Sequence, residues 1–266
     1  MTTVRDVFLF LDKMAPFSLQ ESWDNSGLLV GHEGQEVTSI FVSLDITEET
    51  IQEAAACGAE LMVSHHPVIF HPAKTLTDRQ LDGDGKILLS LVEHHMAAIC
   101  CHTNLDSVEG GVSDALAKAL GLVRVEQLAP MGVDCYDRPY GIGRIGELPE
   151  PLPFDRFLAM VRDALHPNGL RYVAGSRMVR RVAVGGGACG SMMEDVVRAG
   201  CDTFVTSDLK YNDFLSASAL GLNLVDAGHF PTENPVTEVL AHWLAEAFPA
   251  VKITKSAVKR EVISYA

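Results

Sequence analysis

Runs of apolar residues rich in Val and Ile alternate along this chain with segments whose apolar positions recur at helical spacing. The short runs at 38–44 (TSIFVSL), 60–64 (ELMVS), 96–101 (MAAICC), 140–146 (YGIGRIG), 179–184 (VRRVAV), 202–206 (DTFVT) and 222–226 (NLVDA) predict strands. Helices are predicted at 3–14, 48–57, 84–95, 111–120, 153–165, 191–199, 210–220 and 233–247. Several of these close on Gly58, Gly121, Gly200 or Gly221, where a left-handed terminal residue is easiest. Strand and helix alternation of this kind defines an α/β fold.

The pattern also repeats weakly. Segment 40–66 aligns without gaps on segment 182–208, so that Ile40 falls on Val182, Gly58 on Gly200, Glu60 on Asp202, Val63 on Val205 and His66 on Asp208. The strands that follow lead into His102-Thr-Asn-Leu-Asp106 and His229-Phe-Pro-Thr-Glu233, both His-x-x-x-acid. Two related halves are therefore expected, the first with extra residues after its His-His-Pro turn. The alternative is that any two β-α-β units look this alike. Periodicity fades over 122–138, which places the boundary between a first half at 1–125 and a second at 126–266, with no inserted middle domain.

Composition narrows the function classes. With 266 residues and 47% hydrophobic content, the chain can bury a sizeable core. No apolar stretch approaches a membrane span, and Arg5, Asp6, Asp12 and Lys13 sit where a secretory signal would be apolar, so a cytoplasmic protein is expected. The six cysteines form no CxxC pair and are expected to be reduced. A formal charge of −14 without a basic run argues against nucleic-acid binding. A small anionic substrate would need local compensation, such as bound metal.

Three clusters offer that compensation. Pro67 lacks an N–H and pushes His66 toward an extended conformation, so the strand before SHHP should stop at His65 and His66. Both imidazoles then lie at the carboxyl end of a strand, where ligands collect in open α/β sheets. His102 and Asp106 follow another buried strand, and His229 and Glu233 a third. Each cluster also has a plainer reading: a packed histidine pair, an Asp capping a turn before Gly110 and Gly111, and a Glu in the first turn of helix 233–247. Taken together they are an N/O ligand set suited to Zn, Mn, Fe, Co or Ni. The triple glycine at 185–187 could form an anion-binding nest or a simple turn, and WDN at 23–25 reads as a turn with Trp23 in the core.

WDNSGLLVG (23–31), SLD (43–45), SHHP (64–67), HTNLD with GGVSDALAKALGL (102–122), GGGACG (185–190), TSDLKYND (206–213) and DAGHFPTE (226–233) resemble, in order, the motifs of the NIF3-like family. Some of its bacterial members carry the label GTP cyclohydrolase 1 type 2 homolog. The resemblance covers nearly the whole chain. It implies two α/β halves facing each other across a dinuclear metal cleft, and assembly as a toroidal homohexamer. It also implies metal ligation by His65, His66, Asp106, His229 and Glu233, with Glu233 bridging two divalent ions. His102 is then the candidate for orienting a ligand or moving a proton in catalysis. The implied activity is metal-dependent hydrolysis of a nucleotide or phosphorylated heterocycle; the alternative is a metal-binding scaffold or regulatory partner without turnover. Two positions depart from the family pattern: Ser207 and Asn212 stand where relatives usually have Gly and His.

Overall fold

The computed structural model describes residues 1–79, 83–176, 178–258 and 261–265. It divides into two compact units, Met1–Leu105 with Val236–Lys259, and Asp106–Pro235 with Arg260–Ala266.

The first unit is built on a five-stranded sheet. Its strands are β1 (Gly27–Val30), β2 (Ser39–Ser43), β3 (Leu61–Ser64), β4 (Ala97–Cys100) and β11 (Lys252–Lys255), in the order β1-β4-β3-β2-β11. Only β1 runs antiparallel to its neighbour. Helices α1 (Val4–Met14), α2 (Glu48–Ala56), α3 (Gly83–Glu93) and α10 (Val236–Ala247) belong to the same unit. Phe41, Met62 and Ala98 from the sheet pack with Ile51, Ala54 and Leu91 from α2 and α3, all nearly inaccessible to solvent. Strands covered on both faces by helices read as continuous apolar runs, which is why β2, β3 and β4 stand where the sequence predicts them.

The second unit holds a six-stranded sheet of β5 (Val123–Val133), β6 (Pro139–Pro153), β7 (Arg171–Val173), β8 (Met178–Val184), β9 (Thr203–Thr206) and β10 (Asn223–Asp226), in the order β5-β6-β8-β9-β10-β7. Helices α5 (Val112–Ala119) and α6 (Phe154–Leu165) contribute Leu116, Phe157 and Val161 to one core against Val182, Val205 and Val225. Helices α7 (Met193–Arg198) and α8 (Tyr211–Leu220) contribute Met193, Val196 and Ala217 to another, with Ala183, Phe204 and Leu224.

The repeat is visible inside each unit. Ile40 pairs with Leu61 in β2–β3, and its counterpart Val182 pairs with Thr203 in β8–β9. The Glu60 carboxylate accepts the backbone N–H groups of Thr38 and Ser39, while that of Asp202 accepts those of Arg180 and Arg181. Each strand pair is thus stapled by a carboxylate from the corresponding position, Glu60 in one and Asp202 in the other.

Several features differ from expectation. The units do not divide at residue 125, because α10 and β11 return to the first sheet, where Lys252 pairs with Ser39. The aperiodic stretch at 122–138 is β5 and its turn, a hairpin arm exposed at most positions and hence without an alternating signal. The helix predicted at 233–247 is two: α9 (His229–Glu233) and α10, separated at Pro235, which cannot donate to a continuing helix. Trp23 is exposed rather than in the core. A five-residue helix, α4 (Thr103–Ser107), is too short to register as periodicity. No described helix is long and apolar enough to cross a membrane.

Candidate metal centre

In the first unit β3 ends at Ser64 and the chain turns at once. The N–H groups of His65 and His66 both donate to the Leu44 carbonyl, and Ser64 Oγ donates to that of His66. The two imidazoles therefore leave the strand end together instead of alternating across the sheet. His102 joins them from the end of β4. One ring nitrogen from each of the three lies within 4.8 Å of the others.

Each ring is oriented by an acceptor at Nδ1. His65 Nδ1 lies 2.8 Å from the Cys101 carbonyl, His66 Nδ1 2.7 Å from Asp45 Oδ1 and His102 Nδ1 2.7 Å from Asp24 Oδ1. A carbonyl or carboxylate oxygen only accepts, so Nδ1 carries a proton, and a ring in its neutral form then presents its lone pair at Nε2. This is the arrangement in which protein histidines bind metal, with the outer partner fixing tautomer and direction.

Asp24 is the most elaborately held of these partners. Its side chain is wholly inaccessible to solvent, and it accepts from His102, from the N–H and hydroxyl of Thr103, from Ser26 Oγ and from the Asn25 N–H. Burial by itself would raise its pKa, but the hydrogen bonds from His102 and Thr103 more than reverse this and hold the carboxyl well below its ordinary value of 3.8.

In the second unit His229 opens α9 and Glu233 closes it, one helical turn apart, with His229 Nε2 3.0 Å from Glu233 Oε2. Glu233 is thus the last residue of a short helix, not part of a first turn at 233–247. His229 Nδ1 is committed to Asp208 Oδ2 at 2.7 Å. A neutral ring would then set a lone pair against a carboxylate oxygen. That contact is favourable only when Nε2 is protonated or when both atoms share a cation. Asp208, the repeat counterpart of His66, is not a helix cap: α8 is capped by Lys210.

The triple glycine is a turn rather than a nest. The Gly185 N–H is taken by the Val205 carbonyl and that of Gly187 by Thr232 Oγ1. Its role is clearance. Gly187 has φ of +65°, and a Cβ there would come within 2.1 Å of Glu233 Oε1. Asp106 belongs to the same unit, on α4, and the next turn is fixed where the buried Arg144 donates to the Val108 carbonyl. Burial, together with the negative charges of Asp106 and Glu233, pushes the Cys189 thiol up to about 12. Cys189 is thereby an inert neighbour, and all six cysteines are unpaired with one another. Ser207 is buried and donates its N–H to the Gly187 carbonyl, whereas Asn212 lies exposed in the first turn of α8.

These contacts make Gly187→Ala a sharp probe. A methyl group there must displace Glu233 and strains a left-handed backbone, so a loss of about 1–3 kcal/mol is expected in thermal unfolding. Metal content should fall with it.

Of the residues expected at the site, His65, His66 and His102 lie together in one unit, and Asp106, His229 and Glu233 belong to the other. The orienting acids Asp24 and Asp45 escaped the reading of the sequence as ligands, although they lie inside its WDN and SLD motifs.

This combination of doubled α/β architecture and imidazole–carboxylate clusters at strand ends has known relatives. The family model for Duf34/NIF3 (NGG1p interacting factor 3) matches residues 2–261. The chain belongs to this family. Proteins named GTP cyclohydrolase 1 type 2 homolog are similar to it: that of Streptomyces coelicolor is 38% identical, over 92% of this chain and 87% of its own length. That of Clostridium perfringens is 33% identical, over 88% and 87%. Among solved structures, a Staphylococcus aureus protein superposes with a TM-score of 0.91 at 28% identity, covering 100% of this chain and 99% of its own.

Proposed function

We propose that this protein is a metal-dependent hydrolase whose centre holds two divalent ions in a cleft between its halves. The observation that supports the proposal is the uniform commitment of Nδ1 in His65, His66 and His229 to an oxygen acceptor, which leaves Nε2 as the atom through which each would bind metal. The donor set fits the group: three imidazoles with the carboxylates of Asp106 and Glu233 are suited to Zn, Mn, Fe, Co or Ni. Glu233, the more buried acid, is assigned as the bridge.

Bound ions would supply Lewis acidity toward the substrate and lower the pKa of a coordinated water. The chain's own contribution is orientation and proton handling. Asp24 fixes the tautomer of His102, whose side chain keeps 14% of its surface exposed. With Nδ1 committed to Asp24, Nε2 is the atom through which a neutral His102 would accept a proton as a general base. A nucleotide or phosphorylated heterocycle is the substrate class, supported by the name shared by the curated relatives. Assembly as a hexamer, implied by the family resemblance, belongs to the same proposal and is read by sedimentation velocity.

Elemental analysis should find about two ions per chain, because five ligands exceed what one tetrahedral site uses. Hydrolysis of a nucleotide panel should vanish on chelation and return with Zn, Mn or Fe. Less than one ion per chain after such incubation sinks the proposal. Full loading with no turnover of any member favours instead a metal-binding scaffold, a reading supported by the family's description as an interacting factor.

A further inference from the structure

Two aromatic side chains stand open to solvent beside the imidazole cluster of the first unit. Trp23 is 58% exposed and Phe70 41%. Their ring centroids are 5.9 Å apart and their planes inclined at 50°. Both approach His102, with centroid distances of 6.0 Å from Trp23 and 6.2 Å from Phe70. His102 in turn lies 5.2 Å from the ring of His65 and 5.5 Å from that of His66.

The pair is held in place. Trp23 precedes Asp24, the acid fixed by five hydrogen bonds from Asn25, Ser26, His102 and Thr103. Asn25 Nδ2 donates to the Ile69 carbonyl at 2.6 Å, which ties the segment carrying Phe70 to the turn carrying Trp23. Large aromatic surface left in water next to reactive groups, on a backbone this constrained, is preorganised to receive a flat apolar face.

We infer that Trp23 and Phe70 form a recognition platform for a planar heteroaromatic ring, which stacks there and presents its substituents toward His102. Every heterocycle has a π-face, so the platform selects for planarity before it selects for a particular base. The charge of the chain points the same way. At −14 it offers an anion little general attraction, and the ring must supply affinity that the phosphate does not. The inference rests on the hydrolase reading only for the identity of the reacting group.

The chain has two tryptophans, so Trp243→Phe leaves Trp23 as the sole indole. In that variant guanosine 5′-monophosphate should quench the emission saturably, and ribose 5-phosphate should not. By calorimetry, Trp23→Leu should weaken binding of the nucleotide roughly tenfold or more, Trp23→Phe should restore most of it, and Phe70→Leu should cost a smaller factor. Binding of ribose 5-phosphate should change less than about twofold, since it has no ring to stack. Metal content measured on the same samples separates the two readings. Saturable quenching in a protein that holds no metal supports the platform and removes the hydrolase. Metal-loaded protein whose indole answers neither probe overturns the platform alone. The platform is likewise overturned if Trp23→Leu lowers the oligomeric mass in sedimentation while leaving nucleotide affinity intact, because the pair is then a subunit contact.

Discussion

Replacing Glu233 with Gln should remove at least one ion per chain and reverse the sense in which this residue affects stability. The side chain is 4% exposed and lies 3.0 Å from His229 Nε2, and it shares with Asp106 the neighbourhood of Cys189. In chelated protein, two carboxylates in a partly desolvated region raise the energy of the folded state. Gln has the same shape without the charge, and can still hydrogen-bond His229. The apo variant should therefore melt at or above the wild-type temperature. With metal the order inverts. An ion at a hundred times its dissociation constant stabilises by about 2.7 kcal/mol, or roughly 5–10 °C for a chain of this size. The variant should recover half of that shift or less. Thermal melts in chelator and in excess Zn or Mn, with elemental analysis, give both readings. A variant with undiminished metal content and an unchanged shift shows that Glu233 is not a ligand.

What the sequence discloses follows burial. Strands β2, β3, β4, β9 and β10 are buried along their whole length and appear as apolar runs, as does the buried end of β8, and the helices between them keep their period. β5 is exposed at most positions, β7 has three residues and β11 is only partly buried, so none differs in pattern from a loop. The return of β11 to β2 is a long-range pairing that no local pattern encodes. At the site, His65, His66, His102, Asp106, His229 and Glu233 were visible as candidates because chemistry-bearing residues recur after buried strands. The acids that aim the rings were not. Asp24 and Asp45 lie far from His102 and His66 along the chain, and only the folded turns bring them within hydrogen-bond distance. Trp23 was misread for a related reason: aromatic rings usually go inside, and its exposure reflects how tightly the following Asp24 is anchored.

That anchoring yields the second large effect, expected for Asp24→Asn. The native carboxylate accepts from Asn25, Ser26, His102 and Thr103 with both oxygens. An amide keeps one accepting oxygen and turns an N–H₂ toward donors that now lack a partner. Hydrogen bonds to a buried charge contribute about 1.5–3 kcal/mol each, and orphaned donors add their desolvation cost. A loss of roughly 2–4 kcal/mol is expected, or about 5–15 °C in the melting temperature. The pH dependence identifies the cause. Because the folded-state pKa of Asp24 is held below 3.8, the ionised carboxylate stabilises the fold above that value, and the contribution is lost as pH falls from there through the folded pKa. The wild-type advantage over Asp24→Asn should be full at pH 6 to 7 and shrink below about pH 4. Denaturant melts across this range test it, and a difference that stays constant down to low pH would assign the effect to packing rather than to the charge. Since His102 Nδ1 loses the Asp24 carboxylate as acceptor, its ring should also sample the other tautomer. The hydrolytic activity proposed for the chain should then fall by more than the unfolded fraction explains.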